Sequence, residues 1–213
     1  MKRTQKIALA LAAGAVTGGA LIAGPAVAAF DNGYFSGGTS QSRQWGPGGG
    51  MGGGIGGCYL SDISTVPSGT LTSAQKTALA SMAEEEKLAH DLYTAFAGRY
   101  DSPVFNRVAT AETQHLAAVR TLLSRYQLAD LTAGKAQGKF ATAPVQATYD
   151  RLLAQGKTSE QAALRVGQTV EKDDIAALKK ALTGLDAPDV QRVYTQLLNA
   201  SRMHQVAFER WIS

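Results

Sequence analysis

The stretch FNRVATAETQHLAAVRTLL, residues 105–123, places a polar pair in the middle of a mostly apolar helical face. Residues three and four positions apart lie on the same face of an α-helix. The residues that share this face are Phe105, Val108, Glu112, His115, Val119 and Leu122. Because an unpaired carboxylate is costly to bury, we expect Glu112 and His115 to bond to other groups inside the protein.

Two interpretations of this Glu-x-x-His pair follow from the sequence. Helical bundles hold di-metal centres with such pairs on inward helix faces. The alternative is a core ion pair in which Glu112 bonds to Arg107 or Arg120. The remaining helices discriminate between the two, because a metal centre needs ligands from several helices.

Residues 1–28 have the features of a secretory signal peptide. Lys2, Arg3 and Lys6 form a positive start, an Ala/Leu/Gly/Val stretch follows, and residues 26–28, Ala-Val-Ala, form a small-x-small cleavage site. We therefore expect a secreted or cell-wall-associated protein that is not stably inserted in a membrane after cleavage. Since three charges of the formal +4 belong to this signal, the basic composition does not predict nucleic-acid binding.

Residues 29–70 are predicted to form a Gly-rich flexible segment. The run GGTSQSRQWGPGGGMGGGIGG, residues 37–57, has little apolar surface to bury and many glycines that lose much backbone entropy on ordering. Its scattered aromatic residues allow a contact with a cell wall or another protein, although isolated aromatics in a disordered arm are the favoured explanation. Cys58 is the only cysteine, so no disulfide within the chain is expected.

Residues 71–213 are predicted to form an all-α domain, because no segment alternates at the period of a strand. The helix start signals are capping boxes at Thr72–Gln75 and Thr158–Gln161, a Ser102–Pro103 cap, and Asp186 with Pro188. The expected helices run over about 73–99, from Ser102 to 126, over 145–155, from Thr158 to 182, and from Asp186 to 211. The domain is thus a four-helix bundle with a long crossover, which carries the short helix, between the second and third long helices.

Each of the other long helices also has polar residues on its apolar face. The third has Leu164, Gly167, Glu171, Asp174, Leu178 and Ala181, and the fourth has Val190, Tyr194, Leu197, Ser201, His204, Phe208 and Trp211. The first has Glu85 or Glu86, between which helical phase does not choose. One of these two glutamates, together with Glu112, Glu171 and Asp174, would balance the charge of two divalent cations. Carboxylates with two imidazoles suit iron, manganese or zinc.

The chain resembles the ferritin-like di-iron carboxylate superfamily, and more closely a bacterial and archaeal family catalogued as domain of unknown function 2202. The motifs that carry the resemblance are EEEKLAHDLY at 84–93, ETQH at 112–115, VEKDDI at 170–175 and SRMHQVAF at 201–208. The similarity covers about residues 71–213. It implies a ferritin-like four-helix bundle with a carboxylate and histidine di-metal centre.

The resemblance also implies a ligand set. Glu86 precedes Tyr93 by seven residues, as in rubrerythrin-like proteins, which favours Glu86 over Glu85. The implied ligands are Glu86, Glu112, His115, Glu171, Asp174 and His204. Ser201 departs from the pattern, because the second Glu-x-x-His of the superfamily has glutamate there. Because serine is a poor metal ligand, the second metal is expected to rely on Asp174 or to keep more water, and a single-metal site is the alternative.

The function expected from this centre is oxidative chemistry. The centre would hold two divalent ions, with iron as the first expectation and manganese or zinc as alternatives. Ferrous iron in it would be oxidised by dioxygen or peroxide, which would be reduced. The alternative is a non-catalytic metal-binding or interaction bundle tethered by the Gly-rich arm. A homodimer is a further hypothesis about its partners.

Overall fold

A computed structural model describes residues 63–212, and this range folds into five α-helices without a strand. The helices are α1 (Ser73–Ala97), α2 (Val104–Arg125), α3 (Ala143–Gly156), α4 (Glu160–Leu182) and α5 (Pro188–Glu209). The prediction of an all-α chain with four long helices and one short one is confirmed for this range. The predicted signal peptide and most of the predicted Gly-rich segment lie outside it. No helix between residues 63 and 212 is long and apolar enough to cross a membrane.

The start of α1 follows its local sequence. The Thr72 side chain accepts a hydrogen bond from the Gln75 amide at 3.2 Å, and Gln75 Oε1 accepts one from the Thr72 amide at 2.9 Å. The two bonds satisfy backbone donors that the first turn of a helix leaves without partners. The predicted capping box is therefore present.

Two other predicted caps are wrong. At α4, Ser159 rather than Thr158 is the cap, and its Oγ accepts a hydrogen bond from the Ala162 amide at 3.1 Å. At α2, Ser102 does not cap the helix, because its backbone amide and its Oγ both donate to Glu160 Oε1, at 3.1 and 2.5 Å. A contact between distant segments thus takes the place of the local cap.

The order of the helices determines where the crossover runs. α1 packs mainly against α2, and α4 packs mainly against α5, while α1 also contacts α4 and α2 also contacts α5. The second halves of α2 and α4 contribute to the same apolar cluster, so these two helices point the same way. The connection from residue 126 to residue 159 therefore returns along the bundle, and its helix α3 packs on α1 and α4.

The interior consists of two apolar clusters with a polar layer between them. The first cluster includes Leu79, Met82, Val119, Leu122, Leu178, Val190 and Leu197, and the second includes Leu92, Phe96, Phe105, Val108, Leu164 and Phe208. The polar layer consists of Glu86, Glu112, His115, Glu171, Ser201 and His204, each at most 3% exposed. Trp211 does not extend the apolar face of α5 as predicted, because the helix ends at Glu209 and Trp211 is 43% exposed.

Part of the predicted flexible segment lies against the helices. Ile63 is buried in the first apolar cluster, and its carbonyl accepts a hydrogen bond from Arg125 Nη1 at 2.9 Å. The Gly69 amide donates to the Tyr126 hydroxyl at 3.0 Å. Residues 63–70 are therefore part of the folded domain, and the flexible segment predicted over 29–70 does not extend through them.

Gly156→Ala is expected to destabilise the domain by about 1–3 kcal/mol, the usual cost of overpacking. A Cβ at Gly156 would lie 2.2 Å from the Phe96 ring, which is fully buried and cannot turn into solvent. Gly98→Ala is the matched control, because a Cβ there meets no atom closer than 3.7 Å. Urea unfolding of both variants measures the difference. Equal stability of the two would show that α3 does not pack against α1 at Gly156.

Candidate metal centre

Glu112 lies between the two buried histidines. Its Oε2 is 2.6 Å from His115 Nδ1, and its Oε1 is 2.9 Å from His204 Nδ1. The two imidazole rings are stacked, with centroids 5.4 Å apart and an interplanar angle of 21°. One ligand-type atom from each of the three residues lies within 4.8 Å of the others. α2 and α5 thus bring a carboxylate and two imidazoles together where one metal ion could contact all three.

A second carboxylate accompanies each imidazole. Glu86 Oε2, from α1, is 3.4 Å from His115 Nδ1. Glu171 Oε2, from α4, is 3.6 Å from His204 Nδ1. All four long helices therefore contribute at least one side chain to the same layer, with Glu112 at its centre.

Asp174 and Ser201 form the edge of this layer. The Ser201 hydroxyl lies 2.5 Å from Asp174 Oδ2 and 2.9 Å from the Leu197 carbonyl. Asp174 Oδ1 is buried and has no hydrogen-bond partner. A serine at position 201 therefore orients the Asp174 carboxylate, which leaves one oxygen of that carboxylate free to bind a cation.

Tyr93 fixes the position of Glu171. Its hydroxyl donates a hydrogen bond to Glu171 Oε1 at 2.7 Å and lies 3.4 Å from the Gly167 carbonyl. The ring is fully buried and lies against Phe208, with centroids 5.1 Å apart. Glu171 therefore has one oxygen on Tyr93 and the other towards His204.

Charge pairing is strongest around Glu112. Burial raises the pKa of Glu112, but the imidazoles of His115 and His204 outweigh burial and hold this pKa well below its ordinary value. Burial lowers the pKa of His204, but the carboxylates of Glu112 and Glu171 together raise it to about 10. Without metal, an ionised Glu112 therefore pairs with a protonated His204.

The pKa values of the outer carboxylates are raised rather than lowered. Burial raises the pKa of Glu86 to about 8, against the lowering effect of its bond to His115. Burial and the charge of Glu112 raise the pKa of Glu171, and burial and the charge of Glu86 raise that of Asp174 well above its usual range. The group is therefore an acidic layer with too few positive charges, and it retains protons without metal.

The alternative ion pair between Glu112 and Arg120 does not form. Arg120 Nε donates to Asp130 Oδ2 at 2.9 Å, and its Nη2 donates to Thr132 Oγ1 at 2.7 Å. Arg107 is exposed on the surface of α2. The charge partners of Glu112 are instead the two histidines.

Among the predicted ligands, Glu112, His115 and His204 form the tightest group, with Glu86 and Glu171 next to the imidazoles and Asp174 at the edge. Glu85, the alternative to Glu86, lines the same cavity as Glu86 and Asp174, and its buried Oε2 has no hydrogen-bond partner. The bond between Ser201 and Asp174 was not anticipated. A serine three residues before a histidine was the only signal for it in the sequence.

Comparisons with known proteins agree with this architecture. The profile of the family described as "Uncharacterized protein domain (DUF2202)" matches residues 75–213. The uncharacterized protein MJ0754 of Methanocaldococcus jannaschii is 35% identical over 154 residues, which is 72% of this chain and 83% of that protein. The crystal structure of the hypothetical protein MJ0754 from Methanococcus jannaschii is similar with a TM-score of 0.68 at 35% identity, covering 70% of this chain and 85% of that chain.

Proposed function

The chain belongs to the DUF2202 family, and from that premise we propose that it is a metalloprotein whose polar layer holds two divalent cations, with iron as the resident metal. The proposal is carried by one observation, the group of Glu112, His115 and His204 whose ligand-type atoms lie within 4.8 Å of one another. The direction of the four long helices and the long crossover support a ferritin-like arrangement, in which such centres occur.

The residues present fit such a metal pair. Glu86 Oε1 and Asp174 Oδ1 are buried without hydrogen-bond partners, a costly arrangement that coordination would relieve. Four carboxylates would balance two divalent cations in charge. Carboxylate oxygens with imidazole nitrogens are the donor set of iron, manganese and zinc sites.

The protein side chains would have separate roles in this centre. Glu112 lies between both imidazoles and would hold metal together with them. Tyr93 holds one oxygen of Glu171, and Ser201 holds one oxygen of Asp174, so both carboxylates are oriented before a cation binds. Two ferrous ions would supply electrons for the reduction of dioxygen or peroxide, which is the reaction class that we propose.

Untagged mature protein, loaded with ferrous iron without oxygen and then desalted, is expected to retain about two iron ions per chain. The double variant Glu112→Ala/His115→Ala should retain none, because it removes the central carboxylate and one imidazole. Elemental analysis measures the metal, and the absorbance of ferric iron after exposure to air or peroxide tests for oxidation.

The matched control is Thr113→Ala/Gln114→Ala, which changes two exposed residues on the same turn of α2. This control should bind as much iron as the unchanged protein. Failure of the unchanged protein to bind iron, manganese or zinc, with normal helicity, would refute the proposal and leave the polar layer as an internal ion-pair network. Metal uptake without oxidation would favour the non-catalytic metal-binding alternative.

Metal binding is expected to release protons. Imidazole and carboxylate bind metal in their deprotonated forms. Because the pKa of His204 is raised to about 10, its imidazole holds a proton throughout the range from pH 6 to pH 8. The affinity for zinc should therefore increase about tenfold per pH unit for each proton released, or about 100-fold over this range for one proton.

Calorimetry in two buffers with different ionisation enthalpies counts these protons. Zinc is the suitable probe, because it has no redox chemistry. An affinity that does not change between pH 6 and pH 8 would contradict the protonated state of His204 in the metal-free protein.

Export is a separate part of the proposal and is supported by the signal-like sequence of residues 1–28. The exported chain would then begin at Ala29. Sequencing the N-terminus of the protein recovered from outside the cytoplasm tests this, and recovery of the full-length chain in the cytoplasm would contradict it.

A further inference from the structure

A cavity of about 360 Å³ lies beside the polar layer. It is bounded by α1, α4, the crossover at Leu131 and Thr142, and the first turns of α3. This volume is within the range of small-molecule binding sites, roughly 300–1,000 Å³. It is also many times the roughly 30 Å³ that one water molecule occupies in the liquid, so dioxygen or peroxide alone would leave it largely unfilled.

One wall of the cavity is made of candidate metal ligands. Glu86, Glu112, Glu171 and Asp174 all line it directly. A molecule in the cavity would therefore meet the centre without protein in between. The cavity and the centre form one continuous site.

Much of the remaining lining is apolar. It includes Leu88, Leu131, Pro144, Val145 and Val170, with alanines at 80 and 89. Water bound against such a surface is displaced favourably by an apolar group, at roughly 25 cal/mol per Å² of apolar area removed from water. These residues therefore favour a ligand with an apolar body.

The ionisable residues of the cavity wall are all carboxylic acids. They are Glu84, Glu85, Glu86, Glu112, Glu171 and Asp174. The lining contains no lysine, arginine or histidine, so no side chain there could pair with an anionic ligand. Glu84 and Glu85 are outside the proposed ligand set, so bound cations would leave their carboxyl groups in the wall. An anionic ligand held among these acidic groups would lose water without gaining a cationic side chain, which disfavours organic acids and phosphate esters.

Glu85 supplies a polar partner for the ligand. Its Oε2 is buried and has no hydrogen-bond partner, an arrangement that costs stability. Hydroxyl groups of Ser81 and Thr148 also line the cavity. Polar groups at a few positions in a mostly apolar pocket are typical of sites that orient a small ligand.

We propose that this cavity binds a small uncharged organic molecule with an apolar body and one hydroxyl group, of the phenol or alcohol class, next to the metal centre. This inference deepens the proposed function. It rests on that function in one respect, because the hydroxyl group would lie beside the bound cations. The acidic wall offers no cationic side chain to an anion, the apolar residues hold the body of the ligand, and Glu85 forms a hydrogen bond with the hydroxyl group.

Phenol and benzoate are the probes, because they share a ring and differ in charge. Binding to zinc-loaded and to metal-free protein is measured by NMR titration. Phenol is expected to bind saturably. In the metal-free protein, where no cation can coordinate a carboxylate, benzoate is expected to bind about tenfold or more weakly, which corresponds to about 1.4 kcal/mol. Absence of phenol binding, or equal binding of the two probes to the metal-free protein, would overturn the inference.

Cavity-filling variants locate the site. Thr148→Phe extends a lining side chain of α3 into the cavity, and Ala80→Leu does so from α1 in case the first variant disturbs the fold. Either variant should weaken phenol binding about tenfold or more. Ala147→Phe, an exposed position next to Thr148, is the control and should leave binding unchanged. Unchanged binding in both filling variants would place phenol elsewhere and overturn the inference.

Zinc stoichiometry, measured on the same samples, separates the two proposals. Normal zinc uptake without phenol binding would refute the cavity inference alone. A protein that binds phenol in this cavity but takes up no metal would refute the proposed function and support the organic ligand site by itself.

Discussion

Asp91→Ala is expected to lower the free energy of unfolding by about 3–5 kcal/mol, the usual cost of removing one partner from a buried ion pair. Asp91 Oδ2 pairs with Lys87 Nζ one turn earlier on α1, and the two side chains are only 4% and 7% exposed. The same carboxylate oxygen accepts a hydrogen bond from the Gly138 amide at 2.8 Å, and Lys87 donates to the Ala136 carbonyl at 3.0 Å. The variant would therefore leave a buried ammonium group without its charge partner and detach the crossover from α1.

The paired replacement Lys87→Met/Asp91→Leu is the informative comparison. Both charges disappear together, so this variant should be much closer to the unchanged protein in stability than Asp91→Ala. Urea unfolding of the two single variants and the double variant gives the coupling energy of the pair. If Asp91→Ala cost less than about 1 kcal/mol, as for a surface pair, the buried position of this ion pair would be refuted.

The sequence predicted the polar layer because each of its residues interrupts the apolar face of a long helix. Glu112 and His115 are one turn apart on α2. Glu171 lies at the middle of α4, and His204 lies in the last third of α5. Helical periodicity is a local property, so it placed these residues on inward faces without knowledge of the fold. Which atoms approach each other depends on how the helices pack. The bond between Ser201 and Asp174 joins two helices, so helical periodicity did not predict it.

The acidic run at residues 84–86 shows what helical periodicity alone could not predict. Helical phase assigned a single inward face to α1, but α1 contacts α2, α3 and α4, so three successive glutamates have different surroundings. Glu86 faces His115, Glu85 lies in the cavity wall, and Glu84 Oε1 accepts hydrogen bonds from the amides of Ala141 and Thr142 at 2.7 and 3.1 Å. The phase of one helix could not predict contacts with the crossover.

The pair of Lys87 and Asp91 was missed for a related reason. Opposite charges four residues apart on a helix usually indicate a solvated face. Here the crossover covers them, and its backbone supplies the Gly138 amide and the Ala136 carbonyl from about 50 positions away in the chain. Nothing in the local sequence distinguishes the buried pair from an exposed one.

Metal binding is expected to stabilise the domain strongly. A cation that binds only the folded state adds about 4 kcal/mol at a free concentration of about 1,000 times its Kd. For a domain of this size that corresponds to an increase in Tm of about 8–16 °C, at about 2–4 °C per kcal/mol. Thermal unfolding of metal-free protein with and without zinc measures the shift.

Glu112→Gln should remove most of this stabilisation, because the amide keeps the shape of the side chain but loses the charge between the two imidazoles. Loss of groups that only support metal ligands weakens affinity about 10–100-fold, so loss of the central ligand should weaken it more. The zinc-induced shift is taken within each variant, so an effect of the substitution on the metal-free protein cancels. Glu209→Gln, the same change at an exposed position on α5, should keep the full shift. An equal shift in both variants would mean that zinc binds away from Glu112, and the polar layer would then stabilise the fold through its own charge pairs alone.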